Sequence, residues 1–235
     1  MSAIFITGTG TGVGKTYVAS SLIRHLRQLG HTVEALKPVV SGYDPMQAAA
    51  SDPGLLLQAL GMPATPYEIE RVSPWRFSAP LSPDLAARRE GRSIDFDAVV
   101  DYCRAAIARR RGVLLIEGVG GIMVPLDDNR TVLDLMMELQ LPLILVAGSY
   151  LGTISHTLTA LDALYRRSMK VLAIIVSESE GSTVPLDDTV AAIGRFVEPV
   201  IGLPRLLPPP DAPKDGSNGA KTNDTLAAFS RIFGK

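Results

Sequence analysis

Short apolar runs rich in valine, isoleucine and leucine recur at residues 3–7, 32–38, 112–117, 143–147, 170–176 and 197–202. They do not alternate with polar positions, so they read as strands buried on both faces. The stretches between them have helical spacing and predict helices over Lys15–Gln28, Asp52–Leu60, 95–110, 131–139, 153–167, 186–195 and 224–232. In the helix from Thr153, the apolar positions Ile154, Leu158, Leu161 and Tyr165 fall four, three and four apart. That stripe is expected to pack on the sheet. Strand and helix in alternation predict an α/β fold, a doubly wound and mainly parallel sheet in a single domain over residues 1–207. Residues 208–223, rich in Pro, Gly, Asp, Lys and Ser, read as a flexible tether to a last short helix within 208–235.

The first strand runs straight into Gly8-Thr9-Gly10-Thr11-Gly12-Val13-Gly14-Lys15-Thr16 and a helix. Such a loop cradles an oligophosphate. Its glycines let backbone N–H groups approach, the lysine reaches the β/γ oxygens, and the threonine hydroxyl suits Mg²⁺. Five residues separate Gly8 from Gly14, one more than the usual spacing, so the loop is a variant.

Ligands of an open parallel sheet gather beyond the carboxyl ends of its strands, where this chain leaves polar residues. Lys37-Pro38 with Ser41-Gly42 follows the second strand, Glu117-Gly118-Val119-Gly120-Gly121 the third, and Gly148-Ser149-Tyr150-Leu151-Gly152-Thr153 the fourth. Glu117 is placed as a Mg²⁺ ligand beside the loop, with Thr16, phosphate oxygens and waters. Asp52 reads equally as a further ligand or as a helix N-cap. Lys37, held at a strand end by the following proline, suits an anionic substrate or a transferring phosphoryl group. The helix start at Gly152, Thr153 and Ser155 favours a carboxylate.

Other residues read more simply. His25, His31 and His156 have no partner at metal-ligand spacing and are expected to be structural or on the surface. Trp75 anchors a long loop, in which Pro74, Pro80 and Pro83 suggest a rigid lid or substrate wall. Arg109-Arg110-Arg111 suits a helix C-terminus.

A net charge of −1 offers no bulk attraction to nucleic acid or an anionic membrane. Cys103 is the single cysteine, which excludes a disulfide framework and suggests inert packing. Without a signal-like segment or an apolar run long enough to span a bilayer, the expected location is cytoplasmic.

The four blocks, in this order, resemble the dethiobiotin synthetase family over about residues 3–207. The resemblance rests on residues 7–16, Lys37-Pro38 with Ser41-Gly42, Ser82-Pro83 after Pro80, Glu117 to Gly121 with Pro125-Leu126, and Leu151-Gly152 with His156. It implies a P-loop ligase that uses ATP and Mg²⁺ to convert 7,8-diaminopelargonate and CO₂ or bicarbonate to dethiobiotin, and a homodimer with the diamine site at the subunit interface. It further implies catalytic roles for Lys37, Lys15 and Thr11, with Lys37 stabilising a carbamate. The metal set would be Thr16, Asp52 and Glu117. The nucleotide would meet Gly12, Val13, Gly14, Lys15, Thr16 and Tyr17, then Asp52, Glu117, Gly118, Val119 and Gly120, and on the base side Ser177, Pro204, Arg205 and Leu206. Ser41 would contact the diamine, while Gly152, Thr153, Ile154 and Ser155 would surround its carboxylate.

Gly10 and Gly12 stand where family members carry acidic residues, and each adds roughly 0.5 to 1 kcal/mol of chain freedom relative to alanine. Modest nucleotide affinity is the consequence expected. Ser177 stands in place of an asparagine that meets adenine, so other nucleoside triphosphates are expected to be accepted alongside ATP. Ser155 likewise replaces an asparagine. The alternative class is a regulatory or partitioning P-loop ATPase acting on protein partners. Such proteins carry a second lysine in the loop, where this chain has Thr9, Gly10 and Thr11.

Overall fold

Ala3–Gly8 forms β1, buried along its whole length because it is the middle of the sheet. The computed structural model describes residues 3–205, so the predicted tether, the helix at 224–232 and Leu206 lie outside the described residues. Along the chain follow α1 (Lys15–Gln28), β2 (Val33–Leu36), β3 (Val39–Ser41), α2 (Asp52–Leu60), α3 (Pro66–Val72), β4 (Trp75–Phe77) and α4 (Pro83–Arg89). Then come α5 (Phe96–Arg109), β5 (Val113–Glu117), α6 (Val132–Leu139), β6 (Leu143–Gly148), α7 (Thr153–Tyr165), β7 (Val171–Ser177), α8 (Leu186–Gly194) and β8 (Val200–Leu203). Six strands form one sheet in the order β2-β5-β1-β6-β7-β8, and every pairing in it is parallel. The winding reverses beside β1, which opens a crevice at the carboxyl ends of the strands there.

Continuous apolar runs are explained by the two cores. Ala3 and Phe5 of β1, Leu114 and Ile116 of β5, and Leu143 and Leu145 of β6 pack on one face with Val99, Cys103, Leu133, Met136, Leu161 and Leu164 from α5, α6 and α7. Ile4, Ile6, Val113, Leu115, Ile144 and Val146 point the other way, onto Val18, Leu22 and Leu26 of α1, Leu56 and Leu57 of α2, and Ile69 of α3. Burying each valine, leucine, isoleucine, phenylalanine or methionine among them contributes about 1.5 to 3 kcal/mol. Cys103 is fully buried, and that burial pushes its thiol up to about 12, so it is an inert core residue as expected.

Three sequence expectations change. Residues around Trp75 form β4, which pairs in parallel with β3 as a separate two-stranded sheet, Val39 opposite Trp75. Each strand is too short to show a period. The Trp75 ring stands edge-on to Tyr102, with centroids 5.7 Å apart at 80°. Secondly, residues 66–72 and 83–89 form helices α3 and α4 that begin on prolines, whose fixed φ suits a first helical turn. Thirdly, α7 is rotated a little from the expected stripe: Leu161 is buried and Leu158 packs on the core as expected, but Thr153, Thr157, Ala160 and Leu164 are buried as well, while Tyr165 is half exposed. The reason is polar satisfaction. Thr153 Oγ1 donates to Gly148 O at 2.7 Å and Thr157 Oγ1 to Thr153 O at 2.7 Å, so both threonines enter the core with their hydroxyls paired.

Candidate active site

Between β1 and α1 the chain makes the glycine loop. Gly12 and Gly14 have φ of 74° and 92°, a left-handed backbone that L-residues adopt only with strain. A Cβ at Gly14 would collide with the Ser177 hydroxyl, so the loop needs this glycine twice over. Val13 is buried and closes onto Gly8, where a Cβ would lie 2.9 Å from its Cγ2. Helix α1 starts at Lys15 with no side-chain cap and no acidic residue in its first turn, which leaves the positive end of its dipole facing the loop.

The loop forms one wall of a cavity of about 630 Å³. Thr11, Gly12, Gly14, Lys15, Thr16 and Tyr17 line it on that side, and Lys37, Val40, Ser41 and Asp52 line it from the β2 side. Pro80, Leu81, Ser82 and Pro83 form a further wall, whereas Pro74 lies outside this cavity, and Glu117, Val119, Gly120 and Val124 complete it. Thr11 and Val124 also border an adjoining groove of about 510 Å³ that reaches His156, Thr159, Ala160 and Ala163 of α7.

Four charged side chains and a hydroxyl meet in the cleft. Lys37, only 3% exposed, places Nζ 2.6 Å from Glu117 Oε1 and 2.5 Å from Asp52 Oδ2. Thr16 Oγ1 donates to the same Glu117 oxygen at 2.7 Å. Burial works against the charge on Lys37, but Glu117 and Asp52 outweigh it and raise the lysine above its ordinary value. Burial likewise opposes ionisation of Asp52, and the ammonium of Lys37 overcomes it, holding this carboxyl below the usual range. Lys15 donates Nζ–H to Gly10 O at 2.7 Å, and burial, with Lys37 nearby, lowers it to about 8. Lys37 is therefore a fixed cation, whereas burial makes Lys15 the easier of the two to deprotonate.

Asp52 is not a helix cap. Ser51 takes that position and accepts from Gly54 N–H at 3.3 Å, which leaves the Asp52 carboxylate turned toward Lys37. The donors fit Mg²⁺. Thr16, Asp52 and Glu117 offer hard oxygens, and Glu117 Oε2 is fully buried with no hydrogen-bond partner among the described residues. Mg²⁺ commonly takes only one or two protein carboxylates beside phosphate and water. Among the described residues there is no group of three or more His, Cys, Asp or Glu placed to hold a metal.

Other candidate residues, Gly118, Ser177, Pro204 and Arg205 among them, do not line the cavity. Gly118 is packed over Phe5 and gives its N–H to Ile6 O at 2.9 Å. Ser177 is buried beneath Gly14. Pro204 O accepts from Tyr17 OH at 3.1 Å, and Arg205 N–H donates to Glu178 Oε2 at 2.9 Å, so the segment after β8 is tied to the first turn of α1. Gly152, Thr153, Ile154 and Ser155 do not line the cleft. Thr153 N–H is already given to Tyr150 O at 3.0 Å, a tight turn that removes it from the expected carboxylate donors. Gly152, Ile154 and Ser155 have no acceptor for their N–H groups among the described residues. Leu81, Val40 and Val124 were not anticipated, since an apolar wall residue carries no local signal.

The AAA domain family matches residues 2–207. The chain is 47% identical over 231 residues to an ATP-dependent dethiobiotin synthetase BioD of Caulobacter sp. strain K31, covering 98% of this chain and 96% of that one. Proteins of the same name from Acidiphilium cryptum and Phenylobacterium zucineum are 48% and 50% identical, covering 84% and 79% of this chain and 89% and 80% of theirs. Among solved structures, the MinC:MinD cell division protein complex of Aquifex aeolicus is similar with a TM-score of 0.51 at 13% identity, covering 99% of this chain and 95% of that chain. That likeness concerns the fold alone.

Proposed function

Because the chain belongs to the ATP-dependent dethiobiotin synthetase family and is an ATP-dependent ligase of that kind, we propose that its cleft carboxylates 7,8-diaminopelargonate with CO₂ and closes the ureido ring. The observation that carries this proposal is the convergence of Lys15, Thr16, Lys37, Asp52 and Glu117 in one cavity beside a glycine loop.

Three steps follow. One amine adds to CO₂ and loses a proton, giving a carbamate. A carbamate oxygen then attacks the γ-phosphorus, and ADP leaves. The second amine attacks the carbamoyl carbon and loses a proton, phosphate departs with its bridging oxygen, and the ring closes. Each step builds or moves negative charge, which fixed cations in a low-dielectric cleft stabilise more than water does. Lys37 is held by its two carboxylates where a carbamate would lie near Ser41, and one well-placed donor is worth ~3 kcal/mol to a transition state. Lys15 exchanges Gly10 O for phosphate oxygens, with the α1 N-terminus and the N–H groups of residues 12–17 completing the cradle. Thr11 lines the cleft next to the adjoining groove and is assigned to the reacting end of the diamine. Thr16, Asp52 and Glu117 would hold Mg²⁺, which when bound neutralises charge on the β- and γ-phosphate oxygens. Val119 and Gly120 border the phosphates, and Ser177, Pro204 and Arg205 border the base.

Gly152, Ile154 and Ser155 lie outside the cleft that holds Ser41, which supports a homodimer whose substrate site is completed across two chains. A cytoplasmic location belongs to the same proposal; among the described residues no helix is long and apolar enough to cross a membrane. The test is phosphate release by purified protein with ATP and Mg²⁺, with and without the diamine and bicarbonate. Stimulation by the diamine is expected, and its absence rejects the substrate assignment. Ser177 at the base position supports loose base selection, so CTP and GTP are expected to sustain turnover; strict preference for ATP in initial rates would reject that part.

A further inference from the structure

Strands β6 and β7 pair as far as Gly148 and Ser177, so the loops that follow leave the sheet at the same level. There the two backbones are joined by a reciprocal pair of hydrogen bonds. Ser149 N–H donates to Ser179 Oγ at 3.0 Å, and Ser179 N–H donates to Ser149 Oγ at 3.0 Å. The Ser182 hydroxyl adds a third bond, donated to Ser149 O. Ser149 is fully buried. The joint also needs Gly148, since a Cβ there would stand 2.6 Å from Ser179 Oγ. None of these hydroxyls has a part in the chemistry above.

The two loops are anchored unequally. On the β7 side, Glu178 N–H extends the ladder to Leu203 O at 3.0 Å, and its carboxylate receives Arg205 N–H. On the β6 side, the turn through Leu151 is exposed. Its remaining bonds among the described residues are local: Thr153 to Gly148 O and Tyr150 O, His156 N–H to Gly152 O at 3.1 Å, and Tyr150 OH with His156 Nδ1 at 2.9 Å. Those bonds set the shape of the turn. Among the described residues, the hydrogen bonds of Ser149, Ser179 and Ser182 are those that tie it to the neighbouring, better anchored loop, while Tyr150 packs on the second core.

We propose that Ser149 and Ser179 form a positioning clasp that holds the first turn of α7 against the nucleotide-side loop. This rests on the assignment of that turn to the diamine carboxylate. Neither serine touches substrate; both act through the placement of Gly152 and Ile154. Because the β7 side keeps its own anchors, breaking the clasp displaces the diamine end and spares the nucleotide end.

Steady-state kinetics of the full-length S179A and S149A proteins, with thermal melts alongside, test this. Loss of such hydrogen bonds is expected to raise KM for the diamine about five- to tenfold, with kcat and KM for ATP within about twofold of wild type. The S149A/S179A protein is expected to be no worse than the poorer single variant, because the two residues form one pair. S179T keeps the hydroxyl and is expected to behave as wild type. S182A, at a half-buried loop position, reports on the same joint with a smaller rise if either alanine variant fails to fold. Unchanged diamine KM overturns the clasp. So does a parallel loss in diamine KM, ATP KM and kcat, which marks general loosening. A wild-type enzyme that ignores the diamine overturns the substrate assignment and the clasp with it, whereas a stimulated wild type with unaffected variants overturns the clasp alone.

Discussion

Lys37, the lysine proposed to stabilise the carbamate, is also placed to affect stability. Its ammonium bridges Asp52 and Glu117, and Glu117 is only 1% exposed. From the sequence, Lys37→Ala is expected to abolish turnover and leave the fold intact; the pairing changes the second half. Removing the lysine leaves a buried carboxylate without its cation, a loss of about 3 to 5 kcal/mol. Lys37→Ala is therefore expected to lose dethiobiotin formation and also to melt at lower temperature, checked by product assay and calorimetry. Full activity would remove Lys37 from the mechanism. Lys15 allows a pH test. Its value in the folded protein, about 8, lies below its ordinary 10.5. Between those values the unfolded chain binds more protons, so a charged Lys15 opposes folding fully below about pH 8, and that cost is relieved as pH rises toward 10.5. Phosphate oxygens reverse the shift by favouring the ammonium. ADP binding at about pH 8.5 is expected to take up a proton, seen as a calorimetric heat that varies with the ionisation enthalpy of the buffer. A heat independent of buffer contradicts it.

At the scale of elements, the glycine loop shows which part of a motif is geometric. Gly12 and Gly14 both have left-handed backbones, but a Cβ at Gly12 meets open space while one at Gly14 strikes Ser177. Gly12→Ala is expected to cost about 1 to 2 kcal/mol from backbone strain alone. Gly14→Ala adds a collision between the loop and the end of β7, so it should lower the melting temperature further and abolish ADP binding. Equal effects in melts and titrations would contradict this ordering. Helix α7 carries the opposite lesson about pattern. Its apolar stripe suggested Tyr165 inside, yet Thr153 and Thr157 are buried in its place. Hydrophobic spacing cannot register a hydroxyl that finds a backbone carbonyl one turn away.

At the scale of the molecule, the cleft of one chain holds the phosphate loop, Lys37 and Ser41, and the first turn of α7 lies elsewhere. If the substrate spans two chains, each dimer site needs Lys37 from one chain and the α7 turn from the other. Gly152, with φ of 94°, is the sensitive point of that turn. Lys37→Ala and Gly152→Val proteins are each expected to be inactive, and their mixture to regain activity as heterodimers with one intact site. No recovery on mixing, or a monomer in sedimentation equilibrium, contradicts the shared site. The sequence by itself determined the sheet, the phosphate loop and the polar strand ends, because long apolar runs, glycine spacing and a lysine held by proline are local chemistry with one stable reading. Only the tertiary structure decided that Ser51 and not Asp52 caps α2, that residues 75–77 pair with 39–41, that Lys37 is locked between two carboxylates, and that Ser149 meets Ser179 across thirty positions. Those outcomes depend on which groups distant in the chain arrive within hydrogen-bonding distance, and no local pattern records that.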